Sequence, residues 1–248
     1  MRIATYNTEW FTSLFDDQNQ LLEDDGWSAR YKVTRAQQIG ALGTVFQAMD
    51  ADAVMVIEAP DTSKNRSTVQ ALETFAARFD LRTTHAALGF SNDTQQEIAL
   101  LYDPQKLTVR HDPKGPFAGP DGAAGAPRFD SALLIDLDID ATQDRVVFSK
   151  PPLELSVQTA SGFAFHMIGA HLKSKAPHGA TTPAEVLSRQ VANRRKQLAQ
   201  ASWLRARIES HLAEGTPLIV MGELIKGPGL DEFESLFGRS SVEIVLGH

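Results

Sequence analysis

The chain has 248 residues, 31 acidic against 24 basic, for a formal net charge of −7, and 42% of its residues are hydrophobic. It contains no cysteine, which excludes disulfide frameworks, thiolate zinc sites, iron–sulfur clusters and a cysteine nucleophile. The acidic balance argues against a protein whose main task is to hold nucleic acid through a basic surface, although a bound metal can supply positive charge locally.

Read in order, Arg2 to Trp10 is a short strand running into polar residues, and 16–33 is an acidic, irregular, solvated loop. Thr34 and Gln37 form a capping-box pattern ahead of a helix whose apolar face is Ile39, Leu42, Val45, Phe46 and Met49. The run 53–57 is continuous, apolar and of strand length, ended by Glu58-Ala-Pro. Ser67 and Gln70 open a second capping box, followed by Val69, Leu72, Phe75, Ala76 and Phe79. From about residue 83 the pattern is strands, expected at 98–102, 107–110, 131–137, 146–148, 153–158 and 163–170. The Gly/Pro/Ala-rich stretch 112–127 reads as a long hairpin loop between strands of similar character.

Thr182-Pro183-Ala184-Glu185 starts a long helix, with Pro at the first helical position and Glu closing the box. Its basic residues Arg189, Arg194, Arg195, Lys196, Arg205 and Arg207 are either a solvated face or a phosphate-tracking one. A strand at 218–221, a short helix near 231–237 and the apolar run 242–246 complete the chain. Helix-then-strand units on either side of a block of strands predict an α/β sandwich, with two sheets face to face and helices outside, in one domain over 1–248. No stretch has signal-peptide character and no run reaches 18 apolar residues, so a cytoplasmic protein without a membrane span is expected.

Three polar residues stand at the C-terminal ends of apolar strands: Asn7, Glu58 and Glu223, and a fourth, His171, follows 163–170. Strand ends are where open α/β sheets place ligand sites. Taken singly, each has an ordinary structural explanation as a turn cap, a solvated carboxylate or a histidine bonded to nearby backbone. Their surroundings are Ile-Ala-Thr-Tyr-Asn-Thr-Glu-Trp-Phe (3–11), Val-Met-Val-Ile-Glu-Ala-Pro (54–60), Ile-Gly-Ala-His-Leu-Lys-Ser-Lys (168–175) and Pro-Leu-Ile-Val-Met-Gly-Glu-Leu-Ile (217–225).

In that order these segments resemble the endonuclease/exonuclease/phosphatase superfamily, which includes pancreatic-type deoxyribonucleases, abasic-site endonucleases, inositol polyphosphate phosphatases and neutral sphingomyelinases. The segments 98–104 and 148–153 look like the family's central strands. The resemblance implies a four-layer α/β/β/α sandwich of two mixed or mostly antiparallel sheets and one or two magnesium or manganese ions. Glu58 would be the principal metal ligand, with Asn7 helping to hold the metal or its water. His171 would face the scissile phosphate as a hydrogen-bond donor, and Glu223 would orient or deprotonate the attacking water. Lys173 and Lys175 would steer an anionic substrate, unless they are only solvated loop charges. The implied substrate is a phosphodiester, in nucleic acid or a small molecule.

Two departures accompany the resemblance. The family's Gly-Asp-x-Asn reads Gly222-Glu223-Leu224-Ile225 here, followed by Lys226. The extra methylene of Glu223 displaces a carboxylate whose misplacement can cost about 10²-fold, and Ile225 cannot supply the hydrogen bond that the family's Asn donates, a loss that typically costs about 10²–10³ in rate. The family's closing Asp-His strand has no counterpart after Gly227, and His248 has no Asp before it. The expectation is a sandwich lacking its last strand and a phosphoesterase of impaired activity. The alternatives are a non-catalytic binding or scaffold protein, or a phosphomonoesterase of small molecules. An incomplete sheet also leaves an edge open to self-association.

Overall fold

The computed structural model of the protein describes residues 1–136, 142–224 and 240–247. In chain order the described elements are β1 (Ile3–Asn7), a 3-10 turn (Phe11–Leu14), α1 (Arg35–Met49), β2 (Ala53–Ala59), α2 (Thr68–Arg78), β3 (His85–Leu88), β4 (Glu97–Tyr102), β5 (Leu107–His111), β6 (Ala132–Ile135), β7 (Asp144–Val147), β8 (Leu153–Thr159), β9 (Ala164–His171), α3 (Pro183–Ala213), β10 (Leu218–Glu223) and α4 (Ser241–Leu246). They make a mixed α/β fold with two main four-stranded sheets, ordered β1-β2-β4-β3 and β10-β9-β8-β5. The expected helix at 231–237 and the positions Ile225, Lys226 and His248 lie outside the described residues.

By its contacts the chain divides into two compact units. One comprises 1–113, 149–170 and 219–222; the other comprises 114–148, 171–218 and 223–248. The first unit holds the bodies of both sheets. In its first sheet β1 runs parallel to β2, and β2–β4 and β4–β3 are antiparallel. In its second, β5–β8 and β8–β9 are antiparallel.

Strand β2 separates two hydrophobic cores. Val54 and Val56 face one way, into a cluster with Ile39, Leu42 and Phe46 of α1 and Leu72 and Phe75 of α2. Ala53, Met55 and Ile57 face the other way, against Leu153, Leu155, Val157, Phe165 and Met167 of the second sheet. A strand buried on both faces reads as an unbroken apolar run, which is what 53–57 is. The first unit is thus layered as helices, sheet and sheet. The second sheet approaches β2 closely at Gly169, where an added Cβ would lie 2.4 Å from Met55 Sδ and 3.0 Å from Ile98 Cγ2.

Local signals explain the helix starts. Thr34 and Gln37 form the expected reciprocal capping box on α1, as do Thr182 and Glu185 on α3. On α2 only half of it forms: Ser67 accepts from Gln70 N. Asn19 takes the other half, since its Oδ1 accepts from Ser67 N at 2.7 Å and its Nδ2 donates to Gln70 Oε1 at 2.9 Å. The acidic segment 16–33 is accordingly tied down rather than only solvated. Arg35 forks onto Asp24 at 2.7 and 2.6 Å, and Arg78 forks onto Glu23 at 2.6 and 2.9 Å. Both carboxyls are held below the usual range by these guanidinium hydrogen bonds.

The second unit contains the β6–β7 hairpin, α3 and α4. Helix α3 runs 31 residues, about 46 Å, and buries Trp203 against Phe129 and Phe148. Trp203 Nε1 donates to Pro127 O at 2.9 Å, and Arg207 donates to Ala126 O and Pro127 O while lying over the Phe129 ring. The glycine-rich stretch is therefore pinned by α3 side chains. Arg194 and Arg207 are each only 1% exposed, so neither belongs to a solvated face or to a phosphate-tracking one. The apolar run 242–246 is helical, started by a Ser240/Glu243 capping box. Among the described residues no strand follows β10, and no helix is long and apolar enough to cross a membrane.

The Gly169–Met55 contact carries a prediction. Gly169→Ala should destabilise the protein by about 1–3 kcal/mol through overpacking, measured by urea denaturation. Adding Met55→Ala should cost less than the two single changes together, because the shortened side chain vacates the space the new methyl needs. Strict additivity would show that the two sheets do not press together there.

Candidate active site

The parallel pairing of β1 and β2 sets Asn7 beside Ile57, so the two strands end together. One residue later β2 breaks register with β4: Ile57 pairs with Ile98 and Ala59 with Glu97, leaving Glu58 opposite no partner. This is a β-bulge, which leaves its extra residue out of the ladder and re-aims it. Glu58 has φ +60, a left-handed conformation costing of order 1–3 kcal/mol in a non-glycine residue. The consequence is chemical. Regular alternation would send residue 58 to the helix side with Val54 and Val56; with the bulge, Ala59 takes that buried place instead. The carboxylate is left half-exposed.

Its position is fixed by donors from three places. Gln96, just before β4, donates Nε2 to Glu58 Oε2 at 2.7 Å. Asn7 donates Nδ2 to Oε1 at 3.3 Å, and the Trp10 amide reaches Oε2 at 3.4 Å. Asn7 is itself oriented by accepting from Glu9 N at 2.8 Å. Bonds to a charged acceptor are the stronger kind. Neither Gln96 nor the Trp10 amide is visible as a site residue in the sequence, because each comes from a loop that carries no spacing signal.

Next to Gln96 lies a second carboxylate of different character. Glu97 is 1% exposed and is held by Asn92, whose backbone N and Nδ2 donate to its two oxygens at 3.2 and 2.6 Å. Burial pushes its pKa up to about 7, against the pull of the hydrogen bonds and with a smaller push from Asp61.

In the second unit, His171 and Glu223 form a pair. They are the last residues of β9 and β10. His171 is buried at 8% exposure, and its Nε2 lies 3.6 Å from Glu223 Oε2. Leu172 N donates to Glu223 O at 3.0 Å, fixing the backbone of that end. The preceding residue of β10 must be glycine: at Gly222 φ is +124, and a Cβ would stand 2.1 Å from Ala170 O. Lys173 follows in the same segment, with its amide donating to Gln200 Oε1 at 2.8 Å. Lys175 lies two residues on and is half-buried.

Groups of the type that hold a metal ion are thus present at Glu58 in the first unit and at His171 and Glu223 in the second. Carboxylate oxygens with one imidazole and no thiolate suit a divalent cation that accepts oxygen and nitrogen ligands. The 3.6 Å separation of the His171 and Glu223 ligand atoms is close to that of two ligands each about 2.0–2.2 Å from one ion. No protein-family model matches the chain, and no curated protein matches it.

The environment of Glu97 predicts a pH dependence. Folding raises its pKa from 4.5 to about 7, so between those values the folded chain holds the extra proton and stability falls as pH rises. Glu97→Gln removes that slope. From pH 4.5 to 8 its stability relative to the unmodified chain should improve by up to about 3 kcal/mol, read from urea midpoints at each pH. A stability difference that stays constant with pH would contradict the assignment.

Proposed function

We propose that the chain is a divalent-metal-dependent phosphoesterase acting on phosphodiesters, of the kind its four strand-end segments resemble. The observation that carries this reading is the Glu58 carboxylate, released from a fully buried strand by a bulge and fixed by amide donors from two neighbouring segments. A side chain kept at such a conformational cost is a functional candidate. The strands leading to Glu58 and His171 also face each other within the first unit. Met55 opposes Gly169 there.

In this reading Glu58 holds a magnesium or manganese ion, and Asn7 and Gln96 keep its carboxylate from rotating. When bound, such an ion neutralises charge on phosphoryl oxygens and lowers the pKa of a coordinated water. His171 donates a hydrogen bond to a phosphoryl oxygen as negative charge develops there. Glu223 accepts the proton of the attacking water. Its longer side chain is directed at His171, which withdraws it from that task and makes the chain a slow enzyme. The same observation favours a second reading, a non-catalytic protein that binds a phosphate ester without turnover.

Hydrolysis of bis(p-nitrophenyl) phosphate, plasmid DNA and p-nitrophenyl phosphate, each with and without Mg2+ or Mn2+, separates these readings. The proposal expects metal-dependent cleavage of the diesters, a loss of at least about 10² in kcat/KM for Glu58→Gln, and a gain for Glu223→Asp. Cleavage of the monoester alone would move the assignment to a phosphomonoesterase. No cleavage of any substrate would leave the binding reading, and full activity in Glu58→Gln would overturn the role of Glu58.

A further inference from the structure

The second unit carries a cavity of about 260 Å³ lined by Lys173, Ala176, His178, Arg189, Ala192 and Asn193. It is smaller than the roughly 300–1,000 Å³ clefts that take drug-sized ligands, so its natural occupant is a small group. Its lining is cationic and polar, with no carboxylate. Two side chains of α3 build its wall by holding the loop after β9: Arg189 donates Nη1 to His178 O at 2.7 Å, and Asn193 donates Nδ2 to Ala176 O at 2.9 Å. Guanidinium and amide donors beyond those two remain to serve a guest.

A second lysine lies near the first. Lys196, one helical turn beyond Asn193 and Ala192, is half-buried, and its pKa is lowered by burial and by the charge of Lys173. Two ammonium groups near enough to repel each other, with no ion pair between either of them and a carboxylate among the described residues, form a site of unbalanced positive charge. Like-charge crowding of this kind destabilises the empty protein and is relieved by an anion. The nearest acidic residue of the helix start, Glu185, is occupied by the Thr181 and Thr182 amides and the Thr181 hydroxyl.

We infer that this cavity is a binding site for a phosphate group, gripped by Lys173 and Arg189 with Asn193 at its wall, and filled independently of any divalent cation. Tetrahedral oxygens match a guanidinium, an ammonium and an amide N–H arranged around a small cavity. One further step rests on the phosphoesterase reading: the occupant is then a non-reacting phosphate of a substrate carrying more than one, which makes a nucleic-acid strand a better substrate than an isolated diester.

The test is binding in EDTA, with inorganic phosphate and a 5-nucleotide single-stranded DNA as probes, followed by calorimetry. The site predicts that at least one probe binds the unmodified chain and that Arg189→Gln and Lys173→Gln each weaken it about tenfold or more. Binding of phosphate alone identifies a free-anion site; tighter binding of the oligonucleotide identifies a backbone phosphate. As a check that needs no substitution, saturating phosphate should move the NMR titration of the Lys196 ammonium towards the ordinary lysine value. Binding of neither probe, or binding unaffected by both substitutions, overturns the inference. Because no metal is present, failure of the phosphoesterase reading leaves these outcomes untouched.

Discussion

Strand β2 has to be buried on both faces and still deliver a carboxylate to the surface. Val54 and Val56 are needed by the helix-side core, and Ala53, Met55 and Ile57 by the core between the sheets. A charged residue continuing either face would be desolvated, at a cost of several kcal/mol if unpaired. The bulge at Glu58 resolves the conflict. It inserts one residue, lets Ala59 resume the helix-side position, and turns the carboxylate out of both cores. The strained φ of Glu58 and the exposure of its carboxylate to its amide donors go with that single insertion, while the parallel pairing of β1 with β2 ends Asn7 beside it.

The contrast between Glu58 and Glu97 shows what the bulge accomplishes. Glu97 pairs with Ala59 across the same irregularity and stays inside, nearly fully buried, where burial raises its pKa to about 7. Two carboxylates near one another on adjacent strands thus have opposite environments, one wet and fixed by amides, the other dry and held by Asn92. The support for the candidate site therefore comes partly from a residue, Gln96, whose next neighbour anchors the loop in the core. A different device acts at the second sheet of the first unit, where Gly222 lets β10 lie against Ala170; the residues that follow these two, Glu223 and His171, form their pair in the second unit.

Much of this was legible in the sequence where the signal is local. The apolar run 53–57, the capping boxes of α1 and α3, and the polar residues at the ends of four strands all stand where sequence pattern puts them. What was not legible depends on residues far apart in the chain. Asn19 supplies half of the α2 cap from 48 residues away, and Gln96 reaches Glu58 across 38. The bulge leaves no mark, since Ile-Glu-Ala reads equally well as the end of a regular strand. The short edge strand β3, His-Ala-Ala-Leu, lacks the β-branched residues that announce strands. Helix α4 was obscured by its apolar composition, although Ser240 and Glu243 bear the spacing of a capping box. The buried Arg194 and Arg207 were hidden by the habit of reading arginine as solvated; Arg207 in fact falls in the buried row of α3 with Trp203, Leu204, Ile208 and His211.

We propose that Glu58 is brought out of the core to hold a divalent cation. Anomalous diffraction from crystals soaked in Mn2+ tests it without reference to any substrate. The account predicts a peak about 2.0–2.2 Å from a Glu58 carboxylate oxygen, absent in Glu58→Gln. A peak seated only on other carboxylates, or none at millimolar Mn2+, would contradict it.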